Sequence, residues 1–389
     1  MRLLFITQDF PPDVGGTQTY AYELALRLAG ACEDFAVLAP VVPGANTFDA
    51  TCPFEVIRVR TGYNGLAVLG FPTFWRLLKT RGFDATFHVQ WHHILLPVLA
   101  QRRGWQGKIF NAAHGRELLI KQPAKGSWLQ SRYDRLRRSL LQRAHHHFPV
   151  SHYTGTLLHE LGIQPEQCTV VNNGADPVMF APCDPTPAIE AYYLVNRKVI
   201  LTVSRLVYRK GVDTVLDAIA RLRQQHPELL YLIAGAGPDR ARLEERVATH
   251  GLEDHVRFLG KVPHDKLTTL YSAADVFVMP ARAASPDVEG FGIVFLEANA
   301  CGTPVIGATT GGIPDAIRDG KTGLLVPPDD PYALSQAINC LLQDPDFAQQ
   351  LGEAGRAHVL EHANWDAVAA RLIAQLRALY ARGQATVAP

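Results

Sequence analysis

Short apolar runs alternate with amphipathic helical stretches along the whole of this 389-residue chain, and that alternation leaves few folds open. Apolar runs bounded by turn residues read as buried strands, and apolar residues at three- and four-residue spacing read as helices. Strands are expected at 2–7, 35–39, 85–90, 108–113, 198–204, 230–234, 255–259, 275–279 and 304–307. Helices are expected at 17–29, 128–143, 152–161, 211–225, 239–250, 292–301, 331–343 and 365–382. Strands separated by helices form parallel sheets with right-handed crossovers. The chain exceeds one ordinary domain. Three prolines in Phe180-Ala-Pro-Cys-Asp-Pro-Thr-Pro punctuate the pattern, and a fresh strand begins at Lys198. The expected fold is α/β, with two doubly wound, Rossmann-like parallel-sheet domains, 1–187 and 188–364, facing across a cleft. Ligands in such folds sit at the carboxyl ends of the strands.

Composition narrows the class. Hydrophobic residues make up 47% and charged residues 19% of the chain, the balance of a globular protein rather than a disordered one. The formal net charge of +1 argues against a nucleic-acid partner. The charge is uneven: residues 1–190 carry 18 Lys and Arg against 15 Asp and Glu. Six scattered cysteines form no Cys-x-x-Cys pair, so neither a zinc knuckle nor a redox motif is indicated and reduced thiols are expected. The apolar run at Met1–Thr7 is too short for a signal-peptide core and reads as a first strand. No stretch reaches the length of a membrane span, so a cytoplasmic protein is expected.

The residues that carry chemistry collect where strands give way to helices. In Asp287-Val-Glu-Gly-Phe-Gly-Ile-Val-Phe-Leu-Glu-Ala, Glu289 and Glu297 are separated by a little over two helical turns. Both carboxylates fall near one face if Glu289 opens the helix. Gly290 and Gly292 let a ligand approach the backbone, and the N–H groups of Phe291, Ile293 and Val294 make an anion site at a helix start. Phosphate and hydroxyls are what a phosphorylated sugar donor presents. Arg205, Arg209 and Lys210 lie in the loop after strand 198–204. Arg205 and Lys210 suit a departing diphosphate, one as a bidentate fork and one as a point charge, while Arg209 is expected to face solvent. Gly235 and Gly237 follow strand 230–234, but Arg240 stands where a dinucleotide fingerprint needs its third glycine.

In the first half, Gly15 and Gly16 follow a Pro11-Pro12 turn and precede a helix capped by Thr17 or Thr19. The turn is either a backbone nest for phosphate or acceptor, or an ordinary strand-to-helix connection. His114, beside Gly115 and just past a strand, stands at the ligand end of the sheet. A lone histidine is more often structural, and His92-His93 reads so, as does His145-His146-His147, structural or solvated.

Ser204-Arg205-x4-Lys210-Gly211, Gly235-x-Gly237, Glu289 and Glu297, with Gly302-Thr-Pro, Gly311-Gly-Ile-Pro-Asp and Gly320-Lys-Thr-Gly downstream, resemble the signature of the retaining glycosyltransferases of family 4. The stretch from Met279 to Ala298 is most similar to the phosphatidylinositol mannosyltransferases within that family. The resemblance implies the GT-B fold, with an N-terminal acceptor domain, a C-terminal nucleotide-sugar domain, and a last helix, 365–385, packed back on the first. It implies transfer of a hexose, mannose from GDP-mannose, to a glycan or lipid-linked acceptor with retention. By the same likeness, His114, Arg205, Lys210 and Glu289 are catalytic, and Glu297 accepts from ribose hydroxyls. Backbone at Lys261 and Val262 reads the base, and Gly15, Gly16, Gly235, Gly237, Gly290, Phe291, Gly292, Ile293 and Val294 touch the donor. No Asp-x-Asp stands at a strand end, so neither metal nor cofactor is expected, only the nucleotide sugar as co-substrate. The rivals are a UDP-glucose or UDP-N-acetylglucosamine donor, a sugar-nucleotide 2-epimerase on a related fold, and a non-catalytic sugar binder.

Residues 121–143 hold Lys121, Lys125, Arg132, Arg135, Arg137, Arg138 and Arg143 against Asp134, interleaved with Trp128, Leu129, Tyr133, Leu136, Leu140 and Leu141. Such a basic amphipathic helix lies either on an anionic membrane, here the inner face, or on the protein's own core. The segment from Phe74 to Arg81 has similar character.

Overall fold

The computed structural model describes residues 1–62, 65–119, 128–283 and 287–384. Contacts divide it into two units, Met1–Asn173 with the chain from Trp365 onward, and Gly174–Asn364. Each unit is built on a six-stranded sheet. The first holds β1 (Arg2–Ile6), β2 (Asp34–Pro40), β3 (Glu55–Val59), β4 (Ala85–His88), β5 (Lys108–Ala113) and β6 (His146–Pro149), in the order β3-β2-β1-β4-β5-β6. The second holds β7 (Lys198–Val203), β8 (Leu229–Ala234), β9 (Val256–Gly260), β10 (Val276–Met279), β11 (Val305–Ala308) and β12 (Leu324–Val326), in the order β12-β11-β10-β7-β8-β9. Numbered within its own sheet and read backwards, the second order is the first. Each ladder is parallel, from Arg2↔Asp34 in β1–β2 to Lys198↔Leu229 in β7–β8. This is the expected doubly wound α/β fold, twice over. In such a sheet the crevice opens where the strand order reverses, between β1 and β4 and between β7 and β10.

Strands such as β8 and β10 are buried at every position, so they read as unbroken apolar runs. Three strands escaped the sequence reading, β3, β6 and β12, and all three are sheet edges. An edge strand needs less apolar surface, and polar residues there discourage pairing with other chains. β3 opens on an exposed glutamate, β6 is His-His-Phe-Pro, and β12 is three residues long.

In the first unit, Phe5 stacks on Phe87 at 5.3 Å, and Phe87 on Phe148 at 6.0 Å. Helix Trp365–Gln384 packs on helix Gly16–Ala29, where buried Trp365 meets Tyr20 at 6.2 Å and Arg27 pairs with Asp366 at 2.6 Å. In the second unit, helix Val212–Leu222 turns Val215, Leu216, Ile219 and Leu222 inward. Burial of each such side chain contributes about 1.5–3 kcal/mol relative to exposure. Two helix starts differ from expectation. Helix Gly16–Ala29 is capped by Gly15 with no side-chain cap, so neither Thr17 nor Thr19 fills that place. Helix Ile293–Ala300 follows Gly292 in the left-handed region, at φ 92, so Glu289 does not open it.

Candidate functional site

At the switch point of the second unit, the loops leaving β7 and β10 are zipped together. The Arg282 amide donates to the Arg209 carbonyl at 2.8 Å. Gly211, at φ 69, lies so close that a Cβ there would run into the Pro280 carbonyl. This approach brings the cations of the first loop onto the acids that follow the second. Lys210 Nζ donates to Glu289 Oε2 at 2.6 Å and to Met279 Sδ at 3.4 Å. Arg209 donates to the same Glu289 oxygen and pairs with Asp287 at 3.0 Å. The expectation that Arg209 faces solvent is therefore wrong: its side chain is 16% exposed and tied to two carboxylates.

Burial pushes the Glu289 carboxyl up, but Lys210 and Arg209 together override it and hold the carboxyl at about 2. Burial pulls the Lys210 ammonium down from its ordinary value, and Glu289 only partly restores it. Both cations use Oε2, so Oε1 remains an acceptor. The two glutamates do not share a helical face, because Glu289 sits in the loop ahead of Gly292. Its carbonyl accepts from the Gly312 amide at 2.9 Å, and a Cβ on Gly311 would strike it. Arg205 is exposed at the end of β7 and takes no ion-pair partner among the described residues. Phe291 is buried, and the first-turn amides of Ile293 and Val294 have no intrahelical acceptor.

Arg282 went unnoticed in the sequence. Its guanidinium, 6% exposed, grips Asp213 at 2.8 and 3.1 Å, donates to Thr214 at 2.6 Å and pairs with Asp329 at 2.6 Å. It also lies over the Tyr208 ring at 4.2 Å. It follows an apolar strand, in Val276-Phe-Val-Met-Pro-Ala-Arg, but its partner Asp213 lies 69 positions away in the chain, inside helix Val212–Leu222.

The glycines after β8 answer to the chain itself. Gly235, at φ 145, leaves no room for a Cβ against the Ser204 carbonyl, and Gly237 none against that of Leu206. The Gly235 amide donates to the Gly260 carbonyl at 2.7 Å, which sets exposed Lys261 and half-buried Val262 beside this turn. Glu297 is buried within its helix, where Tyr271 Oη donates to its Oε2 at 2.9 Å. Burial pushes this carboxyl up to about 7, against the pull of the Tyr271 hydrogen bond.

At the first unit's switch point the ties are amides. Asp9 accepts from Gln18 at 3.1 Å and from Gln90 at 2.8 Å, and Gln90 accepts from the Gln8 amide at 3.2 Å. Gly15 is extended, at φ 169 and ψ 165, rather than folded into a left-handed nest. The His114 amide donates to Glu117 Oε1 at 2.6 Å, and its ring stands edge-on to Tyr20 at 4.6 Å. Burial pulls the His114 imidazole down to about 4 and pushes the Glu117 carboxyl up to about 7. Glu117 was missed, although it stands three residues beyond His114 in the sequence. His146 pairs with Thr169 at 2.8 Å, and His147 with Asn111 at 3.2 Å and the Leu141 carbonyl at 3.1 Å. His92 meets Gln8 at 2.8 Å, and His93 is fully buried. These are interior roles.

Helix Trp128–Leu141 buries Arg137, Leu140 and Leu141 and exposes Trp128, Arg132, Arg135, Leu136 and Arg138. Residues 121–127 of the basic stretch lie outside the described residues. No described helix is long and apolar enough to cross a membrane.

The family described as "Glycosyltransferase Family 4" matches residues 14–179, and that described as "Glycosyl transferases group 1" matches residues 193–358. The chain is similar to the GDP-mannose-dependent alpha-(1-6)-phosphatidylinositol monomannoside mannosyltransferase of Mycolicibacterium smegmatis, with 34% identity over 95% of this chain and 97% of that one. The Mycobacterium tuberculosis protein of the same name is 33% identical over 97% of this chain and 98% of its own. Among solved structures, sucrose-phosphate synthase from Thermosynechococcus elongatus superposes with a TM-score of 0.80 at 26% identity, covering 98% of this chain and 99% of its own.

Proposed function

The chain belongs to glycosyltransferase family 4, in the phosphatidylinositol mannosyltransferase type, and from that premise we propose that this glycosyltransferase moves mannose from GDP-mannose to a phosphatidylinositol-mannoside-like lipid, with retention and without metal. Near full-length likeness to a mannosyltransferase that acts on phosphatidylinositol monomannoside supports donor and acceptor. The observation that carries the chemistry is the Arg209–Lys210–Glu289 cluster at the switch point.

In this reading the exposed Arg205 fork, a Lys210 N–H and the amides of Ile293 and Val294 take the departing diphosphate. Fixed donors aimed at developing charge are worth most in a water-poor site. These cations do the work a metal would otherwise do. Glu289 stays ionised and offers Oε1 to a sugar hydroxyl. Its Oε2 is committed to two cations, so it is poorly placed to become a covalent nucleophile, and substitution on the same face gives retention. Glu297 accepts from the ribose, and the backbone beside Gly260 meets the base. His114 is neutral at working pH and serves as a hydrogen-bond partner to sugar. The exposed cations and Trp128 of helix Trp128–Leu141 rest on an anionic leaflet where the acceptor resides.

The test is transfer from GDP-mannose to phosphatidylinositol monomannoside in mixed micelles with a chelator present. An α-linked mannoside, with Arg205→Ala slower by about a hundredfold, supports the reading. A UDP-sugar as the accepted donor discards mannose, a β-linked product discards retention, and loss of turnover in chelator discards the metal-free site.

A further inference from the structure

The Tyr271 ring is wholly buried on helix His264–Ala273. It stands edge-on to Phe180 at 5.8 Å and to Phe277 at 5.7 Å. Its carbonyl accepts from Thr303 at 2.6 Å, so the residue is fixed at both ends. A phenylalanine would fill the same space without burying a hydroxyl. The hydroxyl has one hydrogen-bond partner among the described residues, Glu297 Oε2 at 2.9 Å. Buried phenols retain a partner, and here the partner is a carboxyl in the proposed donor site. Glu297 Oε1 takes no hydrogen bond among the described residues, and the residue keeps 7% of its surface.

We propose that Tyr271 is a positioning residue of the donor site: its phenol engages Oε2 of Glu297 and leaves Oε1 to accept from the ribose of a nucleoside diphosphate. This rests on the donor-site reading above. The phenol does a second thing. It stabilises the ionised carboxyl, the form that accepts from both ribose hydroxyls. Packed on the helix of Glu297, helix Pro345–Glu361 carries Arg356, which donates to the Ala300 carbonyl, helix Ile313–Ala316 carries Asp315, and Cys301 follows Glu297 one turn on. Tyr271's own helix carries His264. Glu297 answers to burial first and to Tyr271 second, with no shift from these others.

The experiment is calorimetric titration of the full chain with GDP across pH 6 to 9, with Tyr271→Phe and Glu297→Gln beside it. In the unsubstituted protein affinity should fall on the acid side as Glu297 takes a proton. Tyr271→Phe should bind about tenfold more weakly at pH 7 and recover most of that loss at pH 9, because its acid limb moves to higher pH. Glu297→Gln should be weak and flat. A Tyr271→Phe loss that is equal at every pH, or no loss at all, overturns the proposal and leaves the donor reading intact. Failure of GDP to bind the unsubstituted protein overturns both.

Discussion

The two switch points share a topology and differ in what ties their loops. Between β7 and β10, charge does it: Arg209 and Lys210 on Glu289, and Arg282 on Asp213. Between β1 and β4, amides do it: Gln18 and Gln90 on Asp9. The charged arrangement leaves Arg205 exposed just past β7, as the proposed diphosphate site needs. The amide arrangement buries Asp9 and Gln90 and joins them by hydrogen bonds within the unit. One fold used twice has been given different ties, ion pairs in one half and amide hydrogen bonds in the other, and the charged half is the one the proposed reading assigns to phosphate.

Removing one acid from each crevice should break the symmetry most. Glu289→Ala strands two buried cations and should cost about 3–5 kcal/mol in stability. Transfer should fall at least a hundredfold. Asp9→Asn keeps the shape and much of the hydrogen bonding, and should cost about 1 kcal/mol. Urea unfolding of both variants checks this, and equal costs would erase the contrast. Next comes Gly235→Ala. Its φ of 145 is a region nearly reserved for glycine, and the Ser204 carbonyl fills the place of a Cβ. The loss should be about 3 kcal/mol, read as a lowered Tm.

Acid should separate the units more gently. Burial pulls His88 down to about 3, and His92 and His147 to about 4. The unfolded chain takes these protons near pH 6.5 while the folded unit refuses them, so stability falls as pH drops from about 6.5 toward 4. Glu117, pushed up to about 7, opposes this, one carboxyl against several imidazoles. Glu289 has the opposite chemistry and the same direction: its contribution is intact above about 4.5 and is lost as pH falls toward about 2. All five tryptophans, Trp75, Trp91, Trp105, Trp128 and Trp365, belong to the first unit. Tryptophan fluorescence should therefore show urea unfolding at lower concentration at pH 5 than at pH 7, while GDP binding persists at pH 5 in weakened form. A fluorescence transition that does not move would mean the buried imidazoles are paired in ways that admit the proton.

Much of this was legible because central strands and glycine turns leave strong local marks. β1, β2 and β4 to either side, and β7, β8 and β10, are apolar runs whose burial on both faces removes any competing pattern. The cations at 205 and 210 stood out from their place just past a strand, whereas Glu289 and Glu297 were picked by a helical spacing that the structure does not keep, since Glu289 lies ahead of Gly292. What was hidden was pairwise. Arg209 looked solvated because its partners, Asp287 and Glu289, lie some eighty positions away in the chain. Arg282 and Tyr271 were hidden for the same reason, since nothing local in Met-Pro-Ala-Arg or Leu-Tyr-Ser announces Asp213 or Glu297. The neutrality of His114 is a consequence of burial, which no motif spells out.

The smallest expected effect carries the finest distinction. Gly15 and Gly235 both precede helices, yet Gly15 is extended at φ 169, where any residue fits. A Cβ on it would meet the end of the Gln18 side chain, which can rotate aside. Gly15→Ala should therefore change stability by less than about 0.5 kcal/mol, read as an unchanged Tm. Because the fold does not require this glycine, any loss of transfer in that variant reports on close approach of a ligand to the backbone. Gly235→Ala cannot give that information, since its own loss of stability would be mixed into any loss of transfer. If Gly15→Ala retains full transfer, the turn after β1 is an ordinary strand-to-helix connection.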